Sequence, residues 1–446
     1  MNGLQPKDNK RPSTEQKQGL GGSIKEGLVD MCYIWAKEMR SVITDEGVLI
    51  FFILVPIFYP LLYSWIYNNE VVRDVPVAIV DNSHSQLSRT FIRMFDGSPD
   101  TKVAVYCNNL QEARDLVGKQ KVRGVLYFPN DFASNIARKQ QSHVGVYCDM
   151  SLMLTYKAIY QTATAVAADM NSGIQIEQSG NMTNRDDEIT TKPLDYDDVK
   201  IFNATGGYGN ALIPAVLMLI LQQTLLLGIG LGAGTARENN RYKDLVPISK
   251  HYNGIFRIVL GKSLCYFMIY IVMAAYITLC VPRFFHYTTI LTPQTLIGLM
   301  VPYILACIFF GMSLSCLVRY RENVILLVLF TSVPLLFMTG ISWPLSNIPG
   351  FWQGVAVLFP STWGIRGFLQ TSSMGGTLAD ISTEYQALWI QVVFYFFLTC
   401  LVYRYQINST RKHALERVMS LRSKAIKIKE SRREAKETAQ PTQADE

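Results

Sequence analysis

The run GISWPLSNIPGFWQGVAVLFPSTWGIRG, residues 340–367, is too apolar for an ordinary loop. Pro344, Pro349 and Pro360 interrupt it too often for a helix that crosses a bilayer. Its composition fits a segment that enters a membrane and turns back, over residues 342–376. Irregular backbone survives at that depth only where protein or a water-filled cavity covers its polar groups. Such a segment therefore borders a pathway, at one mouth of a transport route; the alternative is an interfacial loop that only seals the bundle. Three of the six Trp residues, Trp343, Trp352 and Trp363, lie here, and amphipathic indole rings favour the headgroup level. Gly340, Pro344, Leu345, Pro349, Pro360 and Arg366 are the residues expected to shape this dipping segment as an outer gate.

The surrounding chain has the composition of a membrane protein. Of 446 residues, 49% are hydrophobic and 17% charged, and mean hydropathy is +0.15. Six uncharged windows approach the roughly 20 residues needed to cross a bilayer: 47–67, 211–236, 263–281, 294–318, 323–341 and 386–403. The first follows 46 mostly polar residues without an apolar signal-peptide core, so the expectation is an anchor that is retained. Lys and Arg number seven before span one, six over 237–262 and eleven over 404–436. By the positive-inside rule both termini and the 237–262 loop are expected in the cytoplasm. The long 68–207 segment is expected outside, because domains of that length translocate largely regardless of charge. The expected fold class is a six-span α-helical polytopic membrane protein with an inserted α/β extracytoplasmic domain.

Residues 1–22 lack apolar periodicity and read as disordered. Over 23–46, Ile24, Leu28, Met31, Trp35, Met39 and Val42 recur at helical spacing, with Lys25, Glu26, Asp30, Lys37 and Glu38 largely on other faces. This is an amphipathic helix, lying in the membrane interface or packed on a partner. In span one, Pro56 and Pro60 imply a kink. The 68–207 segment alternates strand-like runs, VPVAIV, KVAVYC, VRGVLYF and HVGVYC, with short helical stretches for which Asn109 and Asn130 are candidate N-caps. That alternation argues a compact α/β unit with at least partly parallel strands. The acidic run over 178–200 lacks a fixed ligand spacing and reads as a solvated loop rather than a metal site.

Span two carries Gln222 and Gln223 near its middle, facing a substrate cavity or bonding a neighbouring helix. Gly228, Gly230, Gly232 and Gly234 follow. Small residues let helices approach closely, so this end is expected to make a helix-helix contact, with a dimer axis as one location. The GKS at 261–263 is no phosphate loop, because Phe256 stands where the first glycine would fall. The 404–446 tail is basic and helix-prone, and is expected to rest on anionic lipid. The five His residues show no metal-ligand spacing. Charge is nearly absent at depth, which argues against a proton- or ion-coupled carrier. Cys107 and Cys148 end the similar runs VAVYC and VGVYC; as parallel neighbours these strands would bring the thiols together as a disulfide, and otherwise both are separate buried thiols.

The order of parts resembles the permease of ABC-type exporters of the drug and lipid export class. Lys37-Glu38 sits where that family carries KE before span one. VPVAIVDNSHSQLS resembles its first outside strand and Asp-x-Ser turn, and GVLYFPNDF its G-V-x-x-x-P-x-x-F. Residues 340–367 resemble its S/T-G-x-x-x-P-L-x-x-x-P block followed by a Pro and an Arg. The family often reads E-R-E-x-G-T-x-E-x-L after span two; here Arg237-Glu238 and Leu245 match, while Asn240 to Asp244 replace its Gly-Thr. The resemblance implies an inner-membrane permease subunit for multidrug or lipid-like efflux, half of a dimer with a second copy or a paralogue. ATP and Mg would be held by separate ATP-binding-cassette ATPase subunits, with no cofactor, metal or catalytic residue in this chain. A periplasmic adaptor and membrane lipids are the other implied partners, and nucleic acid is not one. Lys37, Glu38, Arg237, Glu238, Tyr242 and Leu245 would couple to the ATPase across 237–262. The reading from a different class is a membrane-anchored receptor or assembly protein whose α/β domain binds a ligand.

Overall fold

The computed structural model describes residues 20–68, 71–180, 183–194, 199, 201–203, 207–239, 254–315, 318 and 320–437. Chain contacts divide it into the unit Tyr67–Asn210 and the remainder. The first helix, α1 (Leu20–Thr44), ends at Asp45, whose extended backbone starts a new helix as N-cap: its Oδ1 accepts the Gly47 and Val48 N–H groups at 3.0 and 3.3 Å. That helix, α2 (Glu46–Ile66), is the first of six long and apolar enough to cross a membrane. It widens into a π turn at Ile50–Leu54 just ahead of Pro56. In a regular helix the Pro56 ring would crowd the Phe52 carbonyl.

The unit Tyr67–Asn210 is built on a sheet in the order β2-β1-β3-β4. Its elements are β1 (Val75–Asp81), α3 (Gln86–Asp96), β2 (Thr101–Tyr106), α4 (Leu110–Gly118), β3 (Gly124–Phe128), α5 (Phe132–Ala137), β4 (Gly145–Cys148), the long α6 (Met153–Ser179) and α7 (Asn184–Thr191). β1 pairs parallel with β2 and β3, and β3 pairs antiparallel with β4. β1 is apolar on both faces because both are covered. Val75, Val77 and Ile79 pack with Phe91, Phe95 and Ile159 from α3 and α6. Ala78 and Val80 pack with Ala113 of α4. After β1, Asp81 organises the turn: Oδ1 accepts the Ser83 and His84 N–H groups, and Oδ2 accepts the Ser88 hydroxyl inside a capping box with Ser85. Asn109 caps α4 through the Glu112 N–H at 2.7 Å. Asn130 does not cap α5; the N-cap position falls on Asp131, whose carboxylate accepts the Asn135 amide at 2.8 Å rather than a backbone N–H.

The sheet order overturns the disulfide between Cys107 and Cys148. β2 and β4 are opposite edges, three strand spacings apart, or roughly 14 Å at 4.8 Å per spacing. The two residues also lie on opposite faces: Cys107 packs with Ala78 and Val80, and Cys148 against the Val77 and Ile79 cluster. Similar strand sequences gave the two thiols the same phase along their strands but not a shared neighbour. Both are free. Burial raises the Cys107 thiol, helped by the Glu112 charge, and pushes Cys148 up to about 11.

Beyond the sheet the chain continues through α8 (Tyr208–Asn239), α9 (Ile255–Phe284, with a π turn at Tyr276–Cys280 before Pro282), α10 (Pro293–Ser315) and α11 (Arg321–Met338). A short 3-10 turn (Leu345–Asn347), α12 (Gly350–Val357), α13 (Pro360–Ser372) and α14 (Ser382–Glu437) complete it. α8 and α10 are the most enclosed membrane helices; α2 and α11 are the least. α11 turns Leu326, Leu329, Phe330, Val333 and Phe337 outward on one face. Helix α1 starts at Leu20, inside the stretch read as disordered, and the largest boundary shifts are two. Helix α9 begins at Ile255, so the GKS residues and the end of the expected 237–262 loop are helical. The last span runs into the basic tail as one helix, because residues 382–437 contain no Gly or Pro to stop it.

The free-thiol assignment is checked by intact mass. Protein purified without reductant should show no mass change on reduction, and Cys107, buried and protonated at neutral pH, should be alkylated only after unfolding.

Candidate functional site

Asp30, Glu38 and Asp45 are spaced eight and seven residues apart, about two helical turns each, so they share one side of α1 and its end. Each meets a partner on another helix. Arg257 Nη1 lies 2.6 Å from Asp30 Oδ2. Lys262 Nζ lies 3.0 Å from Glu38 Oε2, and the Tyr266 hydroxyl donates to Glu38 Oε1. Asp45 collects most: Arg321 Nη2 at 2.9 Å and the Thr235 hydroxyl, besides the two N–H groups it caps. α1 therefore runs in the same direction as the first half of α9, with Gly261 close against Ile34 and the Met31 carbonyl. This corrects the expected distribution of charge on the helix. Ile34 and Val42 are buried and Leu28 exposed, so the packed side includes Asp30 and Glu38, neutralised by α9, rather than apolar residues alone. Burial by itself would raise the Asp45 carboxyl; the Thr235 and Val48 hydrogen bonds and the Arg321 charge outweigh it and hold it below its ordinary value.

In α8 the glycine run makes contacts inside this chain. A Cβ on Gly228 would come within 2.2 Å of the Phe52 ring, one on Gly230 within 2.4 Å of Val324, and one on Gly234 within 2.7 Å of Arg321; Gly232 stands 3.8 Å from Val48. The surfaces met are α2 and α11, so the run makes the expected helix-helix contact within the chain. Arg237 is buried and donates to the Val318 carbonyl, whereas Glu238 and Lys37 are exposed. Tyr242 and Leu245 lie outside the described residues.

Gln222 sits about 21 Å from the start and about 26 Å from the end of α8 at 1.5 Å per residue. Its Oε1 accepts the Ser361 N–H at 2.6 Å, at the start of α13. Gln222 Nε2, both polar atoms of Gln223 and the hydroxyls of Ser361 and Thr362 are buried and have no partner among the described residues. Orphaned polar atoms are rare in protein interiors and mark a place for water, an ion or a ligand.

The prolines of the 340–367 stretch place helix starts. Pro344 and Pro349 precede the 3-10 turn and α12, and Pro360 is the first residue of α13, where its missing N–H leaves no bond unmade. Gly340 adopts φ +90°, and a Cβ there would reach 2.6 Å from Leu345. Gln353 donates to the Leu345 and Ile348 carbonyls at 2.9 and 2.8 Å. At the C-terminal end of α12, Trp363 and Gln391 donate to the Val357 carbonyl and Tyr395 to that of Leu358. The exposed backbone of a non-spanning segment is thus covered by side chains. Arg366 lies 5.5 Å from the Trp363 ring centroid, and Gly364 lets α13 approach Tyr303 of α10, where a Cβ would come within 2.3 Å.

A family model described as an ABC-2 family transporter protein matches residues 47–401. The chain belongs to this family. It is a multi-pass membrane permease component of an ABC transporter, and its family works with ATP-binding-cassette ATPase subunits. No curated protein matches the permease. Of the residues expected to matter, the structure joins Glu38 to α9, Arg237 to the Val318 carbonyl and Gln222 to Ser361. Sequence reasoning missed Asp30, Asp45, Thr235, Arg257, Lys262, Tyr266 and Arg321, together with Ser361 and Thr362. A usable signal existed only for Asp45, an N-cap residue immediately ahead of an apolar run.

Two substitutions separate bonded from orphaned amides. Gln222→Leu leaves the Ser361 N–H without its acceptor and should lower stability by about 1–3 kcal/mol. Gln223→Leu removes two unpartnered polar atoms and should leave stability unchanged or raised; thermal unfolding of the purified permease in detergent reads both. By the same assay Asp45→Ala should destabilise by about 2–3 kcal/mol, the loss of charge-assisted hydrogen bonds. Because the folded carboxyl titrates below its unfolded value of about 4, this stabilisation is present above that pH and lost as pH falls through the folded value. The gap between mutant and parent should therefore close in acid.

Proposed function

We propose that the permease is half of an ATP-driven exporter that moves amphiphilic, drug-like or lipid-like molecules outward across the inner membrane. Separate ATPase subunits supply the energy, and a second copy or paralogue completes the channel. The observation that carries this reading is the orphaned polar cluster of Gln222, Gln223, Ser361 and Thr362, halfway along α8 and at the start of α13. Polar groups at membrane depth without protein partners suit a route that holds water or passing cargo. Charge is nearly absent from the membrane helices, which fits a path energised from outside the chain.

In this reading both termini and the 237–254 connection face the cytoplasm, following the Lys/Arg distribution, and the Tyr67–Asn210 unit faces outward. Residues 340–367 form the outer gate. Closure of the ATPases pushes on the 237–254 connection and on α1. The Asp30, Glu38 and Asp45 pairs pass that movement to α9, α8 and α11, because helices joined by short charged contacts shift together. A periplasmic adaptor on the outward unit is the remaining proposed partner.

Co-reconstitution with the ATPase tests this. Outward movement of an amphiphilic dye and dye-stimulated ATP hydrolysis are expected, and Glu238→Ala or Leu245→Asp should reduce both without affecting membrane insertion. Unchanged transport in both variants would overturn the coupling route. A cysteine introduced at Ser346 should react with an impermeant thiol reagent applied from outside, with protection that varies with nucleotide state; reaction only from the cytoplasmic side would invert the topology.

A further inference from the structure

The Tyr67–Asn210 unit contains an open cleft of ≈590 Å³, within the roughly 300–1,000 Å³ of small-molecule sites. One wall is α6 and the other runs over 136–146, from the end of α5 through its connection to the start of β4. The cleft exists because α6 outruns the sheet. With 27 residues it is about 40 Å long at 1.5 Å per residue, whereas the strands it packs on have four to seven residues, about 13–23 Å. The α6 face that covers the sheet through Ile159, Ala163 and Val166 continues apolar through Ala167, Met170 and Ile174. Across the gap stand Phe132, Ile136 and Val144.

The rim has a definite chemistry. Lys139, held at a left-handed turn with φ +60° after α5, and His143 are the basic side chains that line it among the described residues, and the remaining polar lining is neutral amide and hydroxyl. Among the described residues no Asp or Glu lines the cleft. The Ser142 hydroxyl is buried there and has no partner among the described residues.

We propose that this cleft binds a single-chain amphiphile with an anionic head group. The alkyl chain lies along Met170, Ile174 and Val144, and the head group takes the Lys139 ammonium and the Ser142 and His143 donors. An apolar stripe that continues past its own core leaves hydrocarbon-sized surface in water unless a ligand covers it. A rim carrying a cation and no carboxylate selects the sign of the head group. Binding follows from the cleft itself; a role for it in export rests on the function proposed above.

The test uses the full chain in lipid nanodiscs and a palmitate analogue with a mid-chain diazirine. After photolysis and digestion, adducts are expected on peptides containing Met170 or Ile174, displaced by excess palmitate. Lys139→Glu should lower this labelling about tenfold, the equivalent of one charge-assisted contact. Thr164→Trp and Asn171→Trp, which fill the cleft from exposed positions, should each abolish it. A trimethylammonium analogue of equal length should label far less. Adducts confined to the membrane helices, labelling unchanged in both Trp variants, or equal labelling by the cationic analogue would each overturn the proposal. Cleft labelling combined with no amphiphile-stimulated ATP hydrolysis in the co-reconstituted complex would leave binding standing and overturn export; stimulated transport without cleft labelling would do the reverse.

Discussion

The close approach of α8 to its neighbours is the constraint from which the membrane bundle follows. Lipid tails are as apolar as Leu, so burying more apolar surface gives membrane helices little reason to associate; contact distance and interhelical hydrogen bonds decide. Gly228 takes the Phe52 ring, Gly230 takes Val324 and Gly234 takes the Arg321 backbone. Together these contacts seat α2 and α11 against one helix. Phe52, fixed in this way, meets the Tyr266 and Tyr270 rings at centroid distances of 5.6 and 5.4 Å, which brings α9 into the same packing. A side chain at Gly228 would push α2 outward and loosen the Asp45 contacts at its start.

Those contacts have a different physical character. Asp45 is at once a helix cap and the acceptor for groups on α8 and α11. A movement of α1 therefore changes hydrogen bonding at three helix ends together. The Asp30 and Glu38 pairs extend the link along α9, so α1 is tied through charge as well as through the close approach of Gly261 to Ile34. Charge pairs of this kind tolerate small displacements that close-packed glycine contacts do not, because the Coulomb energy varies gradually with distance while steric overlap rises steeply.

The orphaned amides and hydroxyls around Gln222 and Thr362 contrast with the well-satisfied backbone of the neighbouring segment. Around α12 and α13, terminal carbonyls find Trp363, Gln391, Tyr395 and Gln353. Irregular backbone is thus paired within the protein, while side-chain atoms a few residues away are not. A bundle that completes one set and leaves the other open separates groups that hold the fold from groups free to meet something else.

The sequence by itself determined the six membrane helices, because uncharged runs of bilayer length have few alternatives. The strand and helix alternation of residues 75–179 was also legible, through period-2 patterning and the Asn109 cap, as were the helix interruptions at Pro344, Pro349 and Pro360. Only the tertiary structure decided which elements are neighbours. It set β1 and β3 between the strands that precede Cys107 and end at Cys148, against a pairing inferred from like sequences. It also turned Asp30 and Glu38 toward α9, although amphipathic spacing placed them on the outer side. Periodicity reports the phase of a side chain along its own helix or strand; a charge on a packed face is acceptable only when an opposite charge from a distant segment meets it. Arg257, 227 residues from Asp30, and Arg321, 276 residues from Asp45, are such partners, and no local pattern in the chain marks them.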